Sequence, residues 1–162
     1  MSTLRVRDIM TDDVYALRSG TSVEEAARAL VARRIGGAPV LDGSRIVGIV
    51  STTDLVRPGV SRAEGEPVID AVMTRAIYAV LPGDPVMTAV RLMVQEGIHR
   101  VVVVAGSGAL AGMITAMDVL RALAQGRSVQ EGDYAFDARR EVHSEPGVAV
   151  SYVDLRTFEL AD

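Results

Sequence analysis

Apolar residues recur at helical spacing in two places along the chain. Val23, Ala26, Ala27, Leu30 and Val31 advance in steps of 3, 1, 3 and 1, and Val86, Ala89, Val90, Met93 and Val94 repeat those steps. Such a stripe lines one face of an amphipathic helix. Ser22 and Glu25 stand at capping-box spacing before the first helix. Asp84 and Pro85 read as N-cap and first helical residue of the second. Gly36-Gly37 is expected to end the first helix. Short apolar runs predict strands at Val14–Leu17, Ala38–Leu41 and Arg45–Ser51, and again at Val101–Val104 and Leu110–Thr115. The Asp42-Gly43-Ser44 segment supplies a tight turn between two of them. Further helices are expected from near Thr52 and over Ala116–Gln125, the latter stopped by Gly126.

The two halves are copies of one unit. At a constant offset, Met10-Thr11 recurs as Met73-Thr74, Tyr15-Ala16 as Tyr78-Ala79, and Ile35, Val40 and Gly43 as Ile98, Val103 and Gly106. After one inserted residue, Gly48, Asp54 and Arg57 recur as Gly112, Asp118 and Arg121. Internal repetition of this kind defines the architecture before any single motif does. The expected class is α+β, with two β-α-β-β-α repeats packed through their sheets, since one such repeat is too small to bury its own faces well. The first repeat spans residues 3–57, a polar linker 58–67, the second repeat 68–124, and an acidic tail 125–162. The tail holds eight acidic residues against four Arg from residue 127 onward, and Val148–Leu155 alternates enough to form a strand. Since the repeat pattern closes near Gln125, the tail is expected to be dispensable for folding the repeats.

Composition narrows the chemistry. Among 162 residues there is no cysteine and no lysine, and all 17 basic residues are arginine. Disulfides, thiolate catalysis, a P-loop lysine and Schiff-base chemistry are therefore excluded. The net charge is −4 with no basic tract, which argues against a nucleic-acid partner. The two histidines, His99 and His143, are far apart, so neither a metal site nor a catalytic constellation is expected. Met87, Met93, Met113 and Met117 read as packing residues. The start of the chain is polar, and apolar runs such as Val101–Ala105 are far too short for a bilayer. A cytoplasmic protein without a membrane partner is the expectation. Apolar residues reach 49% before glycine is counted, which favours an oligomer, with a homodimer the expected form.

The repeat closely resembles the cystathionine β-synthase (CBS) domain. The first copy carries Asp8-Ile9-Met10-Thr11, Ser22-Val23-Glu24-Glu25-Ala26, Ala38-Pro39-Val40 and Gly48-Ile49-Val50-Ser51-Thr52-Thr53-Asp54. The second carries Val72-Met73-Thr74, Gly97-Ile98-His99-Arg100-Val101 and Gly112-Met113-Ile114-Thr115-Ala116-Met117-Asp118. The last element of each fits the family pattern Gly-x-x-Ser/Thr-x-x-Asp. The resemblance covers residues 3 to about 124. It implies a tandem pair, a Bateman module, whose two clefts bind adenosine-containing ligands: AMP, ADP, ATP, S-adenosylmethionine or NAD-type molecules. It also implies regulation in trans of an effector protein that the sequence does not name, and dimerisation. No enzymatic activity is implied, and no catalytic cofactor.

Carried residue by residue, the resemblance implies a main cleft formed by Thr11, Ala16, Ile35, Gly36, His99, Arg100, Thr115 and Asp118. In it the aspartate takes the ribose hydroxyls, and the threonine and the His-Arg pair take the phosphate. The chemistry fits, because a carboxylate accepts two hydrogen bonds from a vicinal diol and a guanidinium matches phosphate oxygens. A second, weaker cleft would use Ser51, Asp54, Thr74, Ala79 and Ile98. It has Gly36-Gly37 where the other has His99-Arg100, so it lacks a cation for phosphate. Purely structural readings stand beside these. Ser/Thr-x-x-Asp at a strand-to-helix junction is also the spacing of a capping box, and Arg100 could instead pair with a surface carboxylate such as Glu96. An interaction module without a physiological nucleotide is the alternative function.

Overall fold

A computed structural model describes residues 4–57 and 65–129, together with the strands 139–143 and 149–153. In chain order the elements are β1 (Leu17–Arg18), α1 (Val23–Arg33), β2 (Gly37–Asp42), β3 (Arg45–Ser51), α2 (Thr52–Leu55), β4 (Ile77–Val80), α3 (Val86–Glu96), β5 (Arg100–Val104), β6 (Leu110–Thr115), α4 (Ala116–Ala124), β7 (Arg139–His143) and β8 (Ala149–Val153). Short 3-10 turns at Val6–Asp8 and Ile69–Ala71 precede each repeat's first strand. The α+β reading with two β-α-β-β-α repeats holds.

The repeats match in register. In the first, β1 runs parallel to β2 and β2 antiparallel to β3, with a bulge at Val40/Leu41. In the second, β4, β5 and β6 repeat this order, with a bulge at Val103/Val104. The residue inserted in the second copy falls in the β5–β6 connection. There Gly108 adopts φ +85°, where the first copy turns at Gly43 with φ +61°.

Two compact units emerge, and they are not the two sequence repeats. One joins residues 4–13 to 78–129, and the other contains 14–57 with 65–77. Each repeat's leading segment thus belongs to the unit built on the other repeat's sheet or helices. In the first unit, Leu4 and Val6 join a core with Val80, Val86, Leu92, Val101, Val103 and Ile114. The Val6 amide donates to the Asp84 carbonyl at 2.8 Å, and the Val86 amide to the Leu4 carbonyl at 2.9 Å. In the second unit, Ile69 and Met73 pack with Leu17, Leu30, Val40 and Val50. Full burial of side chains such as Leu30, Ile69 and Ile114 contributes about 1.5–3 kcal/mol each.

Several local expectations change. The first helix does not end on Gly36-Gly37. Arg34 caps it in the left-handed conformation at φ 54°, and Gly37 already belongs to β2. Gly97 takes the same place after α3 at φ 64°, where the missing Cβ removes the strain. Asp84 does not cap α3. Its carboxylate accepts from the Leu81 amide at 2.7 Å and closes a turn, while the helix begins at Val86 after Pro85. Ser22 does cap α1 through the Glu25 amide at 3.2 Å. The helix near Thr52 is a single turn. Val31 and Val94, equivalent members of the two apolar stripes, are 72% and 79% exposed rather than core residues. In the tail, the strand expected within Val148–Leu155 forms as Ala149–Val153. Together with β7 it extends the second sheet in the order β6-β5-β4-β8-β7.

Candidate functional site

The Gly-x-x-Ser/Thr-x-x-Asp pattern turns the chain from β6 into α4. Thr115 is the N-cap, and its hydroxyl accepts from the Asp118 amide at 3.3 Å. Asp118 Oδ2 accepts in return from the Thr115 amide at 2.9 Å and the Thr115 hydroxyl at 2.7 Å. The capping box that the spacing allowed is therefore fully formed. The other carboxylate oxygen, Oδ1, accepts from Arg121 Nη1 at 3.0 Å. Asp118 is buried, and its polar atoms are satisfied.

The pattern's glycine has a different task. A Cβ on Gly112 would stand 2.7 Å from the Thr11 carbonyl oxygen and 3.0 Å from Met10 Sδ. Its absence lets the leading segment lie against β6, where Thr11 and Met113 exchange amide-to-carbonyl hydrogen bonds of 2.9 Å each way. Thr11 is thereby fixed two residues before the Thr115 cap. Arg100 opens β5 directly opposite Thr115. The His99 carbonyl accepts from the Ala116 amide at 3.0 Å, which ties it to the first turn of α4. One end of this sheet thus gathers Thr11 and His99, both exposed, Arg100 and Thr115, both half-buried, and the buried Asp118.

The other unit repeats the construction. Asp54 Oδ2 accepts from the Ser51 amide at 2.8 Å and the Ser51 hydroxyl at 2.7 Å. Arg57 Nη2 lies 3.4 Å from Asp54 Oδ1. Thr74 exchanges hydrogen bonds of 2.8 and 2.9 Å with Ile49, beside Gly48. Gly37 faces Ser51 across the strands, and the Gly36 carbonyl accepts from the Thr52 amide at 3.1 Å. Gly36 and Gly37 therefore occupy the places of His99 and Arg100, as the repeat alignment expects. Ile35 and Ala16 are half-buried members of this unit. Of the remaining expected residues, Ile98 is half-buried in the first unit, whereas Ala79 is fully buried there, paired with Val102 within β4.

Two differences separate the units. The first presents an imidazole and a guanidinium where the second has only backbone. Helix α4 runs nine residues, whereas α2 is four residues long and stops before Pro58. A short helix sums fewer peptide dipoles at its N-terminus. Arg57 and Arg121 are equivalent in the repeat alignment, yet neither carried an expected role at the site. The Asp-x-x-Arg spacing in both copies was the available signal. Among the described residues no cluster of three or more potential metal ligands occurs, and no helix is long and apolar enough to cross a membrane.

Comparison with known proteins places this geometry in a family. The model of the CBS domain matches residues 6–59 and 68–125. An uncharacterized protein of Methanocaldococcus jannaschii is 30% identical over 119 residues, covering 73% of this chain and 42% of that protein, so the chain spans under half of that relative's length. A CBS domain pair crystallised with 5′-methylthioadenosine and S-adenosyl-L-methionine has 25% identity and a TM-score of 0.70, covering 78% of this chain and 100% of that one. CBSX2 of Arabidopsis thaliana in complex with AMP has 30% identity and a TM-score of 0.66, covering 75% and 96%. With two tandem matches over most of its length, the chain belongs to the CBS domain family.

Proposed function

We propose that this chain is a regulatory module that binds an adenosine-containing ligand of the AMP, ADP or ATP class and signals to a partner protein in trans. The observation that carries the reading is the grouping of Thr11, His99, Arg100, Thr115 and Asp118 at one end of a single sheet. A carboxylate for ribose hydroxyls lies one helical turn from the Thr115 hydroxyl, and Thr115 faces Arg100, next to His99, across the strands. Similar domain pairs are described with AMP and with S-adenosyl-L-methionine and 5′-methylthioadenosine, which supports an adenosyl ligand. Related CBS domain pairs are described with bound ligands, which supports a module that acts by binding rather than catalysis.

The two units contribute unequally on this reading. Arg100 and the longer α4 favour phosphate at the Thr115/Asp118 site. The Ser51/Asp54 site, with its bare Gly36-Gly37 backbone, suits a less anionic ligand such as S-adenosylmethionine. Mass spectrometry of ligand retained on the natively purified protein, followed by titration calorimetry with AMP, ATP and S-adenosylmethionine, tests the assignment. Arg100→Ala should weaken AMP and ATP by roughly ten- to a hundred-fold, the worth of a charge-assisted hydrogen bond. Asp118→Ala should weaken all three ligands. Unchanged AMP affinity in Arg100→Ala, with loss in Asp54→Ala, would reassign the phosphate site. No binding of any of the three below about millimolar would favour the interaction-module alternative.

A homodimer in the cytoplasm is part of the proposal. Val94, Met117, Leu120 and Leu123 are large apolar residues left 46–79% exposed on α3 and α4 of one unit, and Val31 is 72% exposed on α1 of the other; a second copy would cover such apolar faces. Light scattering that reports a monomer at tens of micromolar would reject it.

A further inference from the structure

The carboxylate of Asp118 is committed to hydrogen bonds within its own chain. Oδ2 accepts two hydrogen bonds from Thr115, at 2.9 and 2.7 Å. Oδ1 accepts one from Arg121, at 3.0 Å. An ionised carboxylate offers about two acceptor positions per oxygen. Oδ2 is therefore saturated, and Oδ1 has one position left, whereas a vicinal diol donates two hydrogen bonds. We propose that Arg121 is a specificity-determining residue of this site: it holds the carboxylate position that a ribose needs, so a bound nucleoside has to displace it. The inference rests on the adenosyl reading above.

Arg121 is the partner that yields. The Thr115 contacts form half of the capping box of α4, and breaking them would leave the Thr115 amide at the N-cap without its acceptor. The Arg121 side chain is 62% exposed, against 9% for that of Asp118. It can swing into water at little cost, as exposed ion pairs generally can. Once displaced, the guanidinium has lost its carboxylate. A phosphorylated ligand brings a replacement anion to the same end of α4, and a neutral nucleoside brings none. Arg121 therefore disfavours neutral adenosine relative to AMP. In the other unit Arg57 stands 3.4 Å from Asp54, beyond the usual N–H···O range, so the same restriction is looser there.

Titration calorimetry on the full chain tests this with two probes, adenosine and AMP, against wild type, Arg121→Ala and Arg121→Gln. The glutamine variant keeps a good helix former if alanine impairs folding. Both variants should bind adenosine about two- to five-fold more tightly, the worth of one exposed ion pair. AMP affinity should stay level or fall, so the preference for AMP shrinks. A merely structural role for Arg121 would weaken both ligands together. Adenosine affinity that is unchanged or weaker in both variants, with AMP still bound by wild type, overturns the role of Arg121 and leaves the adenosyl reading standing. If wild type and variants bind neither probe below about a millimolar, both fall.

Discussion

Replacing Gly112 with alanine tests the explanation given for the motif glycine. The new Cβ would lie 2.7 Å from the Thr11 carbonyl oxygen, well inside normal carbon–oxygen contact. Backbone cannot rotate away as a side chain can, so the leading segment must lift off β6. The two Thr11–Met113 hydrogen bonds, each 2.9 Å, would lengthen or break, at a net cost of about 0.5–1.5 kcal/mol each. Alanine recovers ~0.5–1 kcal/mol through the lower entropy of the unfolded chain. The expected destabilisation is centred on ~1 kcal/mol and is at most about 2.5 kcal/mol, or roughly 2–4 °C and at most ~10 °C in melting temperature for a chain of this size. Amide hydrogen exchange should locate the loss at Thr11 and Met113. Gly48→Ala should differ in mechanism. There the closest atoms are Met73 Sδ at 2.6 Å and Cγ at 2.9 Å, and the Thr74 carbonyl is further away at 3.0 Å. Shortening Met73 should therefore partly rescue Gly48→Ala, giving a favourable coupling in a double-mutant cycle. Shortening Met10 should not rescue Gly112→Ala, because that conflict is with backbone. An unchanged melting temperature for Gly112→Ala, or rescue of it by Met10→Ala, would refute the reasoning.

Arg34→Gly should stabilise the protein by up to about 1 kcal/mol in urea unfolding, because the left-handed backbone costs a non-glycine residue ~1–2 kcal/mol and glycine returns part of that as unfolded-state entropy; Gly97→Ala should show the opposite sign. Asp70 couples the start of the second repeat to the β1–α1 turn, accepting from the Ser19 hydroxyl and the Gly20 amide at 2.6 Å each. Burial alone would raise its carboxyl pKa, but the hydrogen bonds from Ser19, Gly20 and its own backbone amide, with the Arg75 charge, outweigh burial and lower it. A lowered folded pKa gives stability that is present above the unfolded carboxylate pKa and is lost as pH falls through the folded one. Asp70→Asn should thus melt lower than wild type at neutral pH, with the gap closing in acid; a gap independent of pH would refute it. A chain ending after Gln125 should still melt cooperatively but at lower temperature, since it loses the Arg127 hydrogen bond to the Asp8 carbonyl and the packing of Val129; calorimetry showing no cooperative transition would instead make the tail strands part of the obligatory core.

The sequence by itself determined the repeat, its β-α-β-β-α order, most element positions and the family. All of these depend on patterns confined to short windows: a 3-1-3-1 apolar stripe, a Ser/Thr three residues before an Asp, a glycine at a turn. The same locality explains the misreadings. Two glycines after α1 looked like its stop, yet the chain reached the left-handed cap two residues sooner, at Arg34, because β2 needed Gly37 opposite Ser51. Asp84 looked like a helix cap, but its carboxylate closes a turn on the Leu81 amide. Only the tertiary structure decided which repeat each leading segment completes, since Val6 meets Asp84 and Thr11 meets Met113 across long stretches of chain that no local pattern encodes. It also decided what the motif does within the fold. Gly112 makes room for a backbone, Thr115 and Asp118 cap a helix, and Arg121 occupies the remaining carboxylate oxygen, because contacts between side chains are set by where separate elements are brought together.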